Sequence, residues 1–306
     1  MDSVADSQDV GRHRLGPHVV GQRVVVRRIV RGESGPTGGP ALTDVLGVCI
    51  SWADGVCVVA PASGPAVSIE IADIVSGKPV PPRPSVRHRV SARDAELHCL
   101  TMWPDVPTRP LGEWVMRSDV TPQEIARAGS VLAMGDPGMP YPAAAEQVVA
   151  FYSSLRRSAW AQVVVGSEQD VALGSLGWVE ARPGEADSLF QVASLARLHR
   201  ALPAPRNDIE LASDGVRAVA SLDERARARA ALDADWLGLY DIWTADDVRR
   251  QGLSTALVAE LVDWGASSGA TTAYLQVRSD NTAAMTLYER LGFVTHHVYR
   301  YLAAPG

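Results

Sequence analysis

The apolar positions change period along the chain. Between Gly21 and Val80 they alternate with polar ones over short stretches: Arg23 to Val30, Val45 to Trp52, Val56 to Ala60 and Val67 to Val75. This predicts strands joined by turns and by one Gly/Pro-rich loop, Gly32 to Pro40. Asp54-Gly55 lies between two of the runs as a two-residue hairpin signal. Such a turn sets Cys57 opposite Trp52 and Cys49 opposite Ala60, so the two thiols are not expected to meet. Short strands of this kind suggest a small β-barrel over residues 16–82, after a polar, loose start over residues 1–15. Lys78-Pro79-Val80-Pro81-Pro82-Arg83-Pro84 reads as a stiff, extended linker.

Beyond the linker, helical and strand periods take turns. Ala92 to Met102 reads as a helix that Trp103-Pro104 ends. Glu113 to Arg117 and Ala128 to Met134 are strand-like, Ala143 to Leu155 is helical, and Ala161 to Val165 is again a strand. Asp187 to Leu198 fits a strand or a short helix, and Leu202 to Arg206 a connection. Ile209 to Leu211, Val216 to Leu222 and Arg225 to Leu232 are short strands. In the last of them Arg225-Ala226-Arg227-Ala228-Arg229-Ala230 alternates charge and methyl, as suits a solvated edge or a docking face for an acidic acceptor. Leu237 to Thr244 is a buried strand. A helix follows, with Ser254 or Thr255 as its cap and Ala256, Leu257, Leu261, Val262 and Trp264 at helical spacing before Gly269. Thr272 to Val277 is a strand, Asn281 to Leu291 an amphipathic helix ended by Gly292, and a strand pair runs on through Tyr301.

Composition narrows the classes. With 306 residues the chain can form two or three domains, and a formal net charge of -6 with 46% hydrophobic residues carries no signature of nucleic-acid or anionic-membrane binding. No apolar run approaches a membrane span, and MDSVADSQDVGRHR lacks the apolar segment of a secretion signal, so the expected compartment is the cytoplasm. Cys49, Cys57 and Cys99 are too few and too irregular for a disulfide framework or a zinc site and read as buried thiols; no metal is expected. His296 and His297 are adjacent on a strand, so one is expected to face each way. Arg23, Arg27, Arg28 and Arg31 form either a basic edge or the solvated face of the first strand.

The chemistry concentrates between Trp236 and Phe293. Arg249-Arg250-Gln251-Gly252-Leu253-Ser254 joins a strand to a helix, placing two guanidinium groups and a glycine where helix amides point outward. That combination suits a pyrophosphate. The order strand, Arg249-x-x-Gly252-x-Ser254 loop, helix, strand, then Asn281-x-x-Ala284-x-x-x-Tyr288-x-x-x-Gly292-Phe293, resembles the acetyl-CoA-binding half of the GNAT acyltransferase superfamily. Where that family usually has glycine or alanine, this chain has Ser254.

The resemblance implies an α+β chain with a C-terminal GNAT fold over residues 206–306. It implies that amides from Arg250 through Gln251, Gly252, Leu253 and Ser254 to Thr255 hold the CoA pyrophosphate, with Arg249 shaping the loop. Backbone groups of Ile242, Trp243 and Thr244 would pair with pantetheine and polarise the thioester, Asn281 would bond the cofactor arm, and Tyr288 would protonate the departing thiolate. For the base that takes the amine's proton, Asp241 stands first, with Glu210 and bulk water as alternatives.

Two further resemblances concern the rest of the chain. The barrel looks SH3-like, and such a barrel ahead of a GNAT domain resembles an actinobacterial two-part acetyltransferase family. Leu173-Gly174-Ser175-Leu176-Gly177-Trp178 echoes Tyr288-Glu289-Arg290-Leu291-Gly292-Phe293, so residues 83–205 resemble a degenerate first GNAT-like copy. There Gly135-Asp136-Pro137-Gly138-Met139-Pro140 stands in the phosphate loop's place without arginine and with two prolines that lack amide donors, so CoA is not expected to bind it in the same way. The expected activity is transfer of acetyl from acetyl-CoA to a primary amine, on a small molecule or a protein lysine. A non-catalytic acyl-CoA sensor or interaction module is the alternative.

Overall fold

The computed structural model describes residues 15–35, 38–61, 64–80, 86–118 and 126–306. The expectations for residues 1–14 and for Pro81 to Pro84 lie outside the described residues. The chain divides into two units, Met1–Pro84 and Ser85–Gly306.

The first unit is a five-stranded antiparallel sheet of β1 (Arg23–Ser34), β2 (Pro40–Ala53), β3 (Val56–Pro61), β4 (Val67–Glu70) and β5 (Ile74–Pro79), in the order β4-β3-β2-β1-β5. A 3-10 turn, Ile71–Asp73, carries the chain from β4 to β5, which pairs with β1, so the sheet is open. Asp54 and Gly55 take φ of 51° and 77°, the left-handed pair that a tight hairpin needs. The register corrects one expectation. Cys57 faces Trp52, but Cys49 faces Val59 rather than Ala60, because a bulge at Ile50 inserts a residue in β2. Both thiols therefore enter the same core, 3.9 Å apart and fully buried. Arg27 and Arg31 of the expected basic edge are paired with Asp44 and Asp73.

The second unit is built on one twelve-stranded mixed sheet. Its elements in chain order begin with α1 (Ala92–Leu97), β6 (Thr108–Leu111), β7 (Trp114–Arg117), β8 (Val131–Leu132), α2 (Tyr141–Ser154), β9 (Trp160–Val164), α3 (Glu168–Ser175), β10 (Val179–Glu180) and β11 (Ser188–Ser194). They continue with α4 (Leu195–Ala201), β12 (Glu210–Ser213), β13 (Arg217–Leu222), β14 (Ala226–Asp233), β15 (Trp236–Thr244), α5 (Leu253–Ser267), β16 (Thr272–Arg278), α6 (Thr282–Arg290) and β17 (Val294–Ala303). Asp187 to Leu198 is thus a strand and then a helix.

The strand order is β12-β13-β14-β15-β16-β11-β17-β9-β8-β7-β6, with β10 on β17. It reads as two halves related by exchange. β8 and β9 are parallel with α2 between them in sequence, and β15 and β16 are parallel with α5 between them. Each half then sends its last strand across: β11 pairs with β16, β17 pairs with β9, and β11 and β17 pair with each other. Side-chain alternation sorts the faces. Ala273, Leu275 and Val277 of β16 join Leu257, Leu261 and Val262 of α5 in one core, while Ala161 and Val163 of β9 join Val148 and Tyr152 of α2 in another. On the opposite face Phe190, Tyr274 and Tyr299 pack with Ala95, Cys99 and Met102 beneath α1.

Candidate active site

The alanine-arginine run of β14 shows how the sheet shapes the site. Ala226, Ala228 and Ala230 are buried in the core that includes α5, and the small methyls let helix and sheet come together. Arg227 and Arg229 are exposed on the other face. β14 is an interior strand between β13 and β15, not the solvated edge expected from its pattern. Its arginines face a carboxylate on β15. Arg227 grips Asp241 through two bonds, Nε to Oδ2 at 2.9 Å and Nη2 to Oδ1 at 3.2 Å, and Arg229 stands 3.4 Å from the same carboxylate. The Arg227 guanidinium also lies 5.3 Å from the Trp243 ring centre.

Asp241 is strained. Its φ is 49°, and the register passes from Arg229↔Tyr240 to Arg227↔Trp243, so Asp241 and Ile242 oppose the single residue Ala228. Pairing of β15 with β16 stops at Leu239↔Leu275, although β15 runs on to Thr244 and β16 to Arg278. The two strands part there, and Ile242, Trp243 and Thr244 make no pairing with β16. A bulge bends the strand that carries it, which is the local cause of that parting.

After β15 the chain turns through Asp246–Val248 and reaches α5. Arg250 and Gly252 take φ of 60° and 78°. Gly252 is the N-cap, with no side-chain bond to the helix amides, which corrects the expectation that Ser254 or Thr255 caps it. Leu253, Ser254 and Thr255 form the first turn, and their amides have no intrahelical partner. Arg249 is held by Asp246 at 2.7 Å, both largely exposed, and the Gln251 amide reaches the Asp247 carbonyl at 3.4 Å.

Asn281 is the N-cap of α6, its Oδ1 accepting from the Ala284 amide at 3.1 Å. Tyr288, about two turns further along, is 9% exposed, and burial pushes its phenol above the ordinary value. It packs edge-on to Phe293, with ring centres 5.7 Å apart, and shares a core with Leu253, Ala256 and Leu257 of α5. Glu210 lies exposed on β12, with two strands between it and β15, and is not brought to this place.

Sequence reasoning missed the opposite wall. A cleft of about 590 Å³ opens beside Tyr240, lined by Trp103, Asp105, Asp214, Arg217 and Arg229 among others. Trp103 and Tyr240 face each other with ring centres 6.2 Å apart. Trp103-Pro104 was legible only as the end of a helix. Asp214 accepts from the Val216 and Arg217 amides and from the Arg217 guanidinium, which hold its carboxyl down at about 2. His296 and His297 also depart from expectation: a bulge at His296 lets both rings meet Phe190, with His297 paired to buried Glu96 at 3.2 Å. Among the described residues no group of three or more His, Cys, Asp or Glu is placed to hold a metal, and no helix is long and apolar enough to cross a membrane.

The family model described as "Probable histone acetyltransferase Rv0428c C-terminal" matches residues 178–302. The probable histone acetyltransferase Rv0428c of Mycobacterium tuberculosis is 29% identical over 315 residues, covering 93% of this chain and 95% of that protein. The [ribosomal protein bS18]-alanine N-acetyltransferase of Escherichia coli is 46% identical over 55 residues, which cover 18% of this chain and 37% of that enzyme. Among solved structures, a GCN5-related N-acetyltransferase from Kribbella flavida superposes with a TM-score of 0.54 at 16% identity, over 71% of this chain and 96% of that one. At that identity the likeness is one of fold: a mixed α+β GNAT-like sheet with flanking helices.

Proposed function

We propose, from the premise that the chain is a GNAT-type N-acetyltransferase, that it transfers acetyl from acetyl-CoA to a primary amine by direct attack in a ternary complex. The observation that carries this reading is the parting of β15 from β16 beside an uncapped helix N-terminus. A strand edge with free backbone groups accepts an extended arm, and open amides with two arginines accept a pyrophosphate.

The donor set fits acetyl-CoA, which supplies an already activated acyl carbon. Amides from Arg250, Gln251, Gly252, Leu253, Ser254 and Thr255 would take the pyrophosphate, with Arg249 fixed by Asp246. Backbone groups of Ile242, Trp243 and Thr244 would bind the arm and the thioester oxygen. The side-chain amide nitrogen of Asn281 stays available to the arm while Oδ1 caps α6. Tyr288, kept neutral by burial, would give its proton to the leaving sulfur. The acceptor amine would enter from the cleft beside Tyr240. Asp241 has both oxygens engaged by guanidinium groups, so we assign it to holding the bulge and leave the amine's proton to water.

We read residues 83–205 as a degenerate first copy that completes the sheet, and the first unit as an SH3-like module, supported by its strand order and the 3-10 turn before β5. The test is calorimetric titration with acetyl-CoA and CoA, then thiol release on the same samples against polyamines, amino acids and lysine peptides. Binding with thiol release for some amine is expected. Binding without release for any amine would turn the chain into an acyl-CoA sensor.

A further inference from the structure

A second cavity, of about 250 Å³, lies where β11, β16 and β17 come together, and it shares no lining residue with the cleft beside Tyr240. Its wall is crowded with charge, and most of that charge is matched internally. Arg300 is clasped by Asp170 at 2.8 Å and stands 3.9 Å from Glu180. Arg278 binds Asp280 at 2.6 Å and Glu185 at 3.6 Å, and Arg182 binds Glu185 at 3.4 Å while its guanidinium lies over Trp160.

Two wall groups are left over. Arg127 donates Nε to the Tyr299 hydroxyl at 3.0 Å and pairs with no carboxylate among the described residues. Its fork has further donors to offer. Asp187 engages only its backbone carbonyl, which accepts from the Ser279 amide at 2.8 Å; its carboxylate has no partner among the described residues. Behind them the Tyr301 hydroxyl is buried without a hydrogen-bond partner among the described residues. A half-buried guanidinium facing phenols, an unmatched carboxylate and an orphaned hydroxyl on one small cavity are the complement of a ligand that carries both charges.

We propose that this cavity binds a free α-amino acid, its carboxylate on Arg127 and its ammonium on Asp187. A plain anion is disfavoured because Asp187 would repel it, and a plain amine because Arg127 would. The proposal goes beyond the acetyl-transfer reading and is tested without acetyl-CoA, so the two can fail separately.

The experiment is calorimetric titration of the full chain with the proteinogenic amino acids singly, and with propionate and propylamine as one-charge controls. At least one amino acid is expected to bind, with propionate and propylamine at least about tenfold weaker. Arg127→Gln and Asp187→Asn should each weaken that amino acid by about tenfold or more while melting within a few degrees of the wild type. The proposal is overturned if no amino acid binds, if propionate or propylamine binds as tightly as the amino acid that binds best, or if both folded variants bind as the wild type does. Should either variant fail to fold, the comparison of the best-binding amino acid with propionate and propylamine on the wild type decides alone.

Discussion

The two halves of the large sheet solve the same local problem in opposite ways. In each, a strand ends in a turn with left-handed glycines or arginine, and a helix begins, leaving amides that need acceptors. In the first half, between β8 and α2, the protein supplies acceptors to two amides of the turn itself. The Glu113 carboxylate takes the Asp136 amide at 2.6 Å, and the Asp136 carboxylate takes the Gly138 amide at 2.8 Å. Pro140 is the N-cap and Pro142 sits in the first turn, so those positions have no amide to offer. In the second half, between β15 and α5, the N-cap Gly252 has no side chain to offer, and among the described residues no carboxylate reaches the first turn. The two loops therefore differ in what stands on them: two carboxylates with Pro140 and Pro142 in the first, two arginines and Gly252 in the second.

The largest predicted effect comes from giving the second half the first half's solution. Gly252→Asp places a carboxylate at the N-cap, where it satisfies the amides that would hold pyrophosphate, and adds left-handed strain of about 1–2 kcal/mol at a φ of 78°. Nothing lies within 4 Å of an added Cβ there, so the fold is retained. Acetyl-CoA affinity should fall by about a hundredfold or more, read by titration calorimetry. An affinity within threefold of the wild type would mean that this loop is not the receptive one.

Next in size is Tyr288→Phe, which leaves the loop intact and removes only the phenol proton. Turnover should drop by about 10²-fold with acetyl-CoA affinity nearly unchanged. Burial raises this phenol from its ordinary value of 10.0, so the neutral, proton-giving form persists as pH rises. In the wild type, turnover should accordingly show no descending limb from this group below about pH 10. A limb near neutrality that disappears in the phenylalanine variant would remove Tyr288 from the role of acid.

What the sequence discloses and what it hides follow from the range of the interactions. The strand, loop and helix from Leu237 to Ser267 are legible because apolar spacing, Gly252 and the two arginines all act locally. The same holds for the echo of this plan in the first half. Three bulges are not legible. At Ile50, Asp241 and His296 one inserted residue resets a period of two, which the alternation of either strand read alone does not reveal. Each hid something: the meeting of Cys49 with Cys57, the clasp on Asp241, and the shared face of His296 and His297. The exchange of β11 and β17 between halves is hidden because its pairings join strands about 80 to 140 residues apart in sequence.

A smaller effect is expected where β15 is bent, a device without a counterpart in the two-residue strand β8. If the clasp holds the bulge, Asp241→Asn and Arg227→Met break the same object from its two sides. Both groups are substantially exposed, at 33% and 48%, so the clasp is screened by water. Each variant should lower turnover by about three- to tenfold with an unchanged pH profile, and the double variant should lose little more than either one. A loss confined to Asp241→Asn, with a displaced acidic limb, would return Asp241 to the role of base.

The smallest effect should come from opening the filled loop. Glu113→Ala frees the Asp136 amide, yet that amide is near the surface and water replaces the carboxylate at a cost of about 1 kcal/mol in stability, read by denaturant unfolding. Acetyl-CoA binding should stay within about twofold of the wild type, with no second site gained. Pro140 and Pro142 still lack the amides that a phosphate would need, and no arginine stands between Ala133 and Tyr141. A second acetyl-CoA bound by this variant would show that the carboxylate alone keeps the first half closed and that its prolines are incidental.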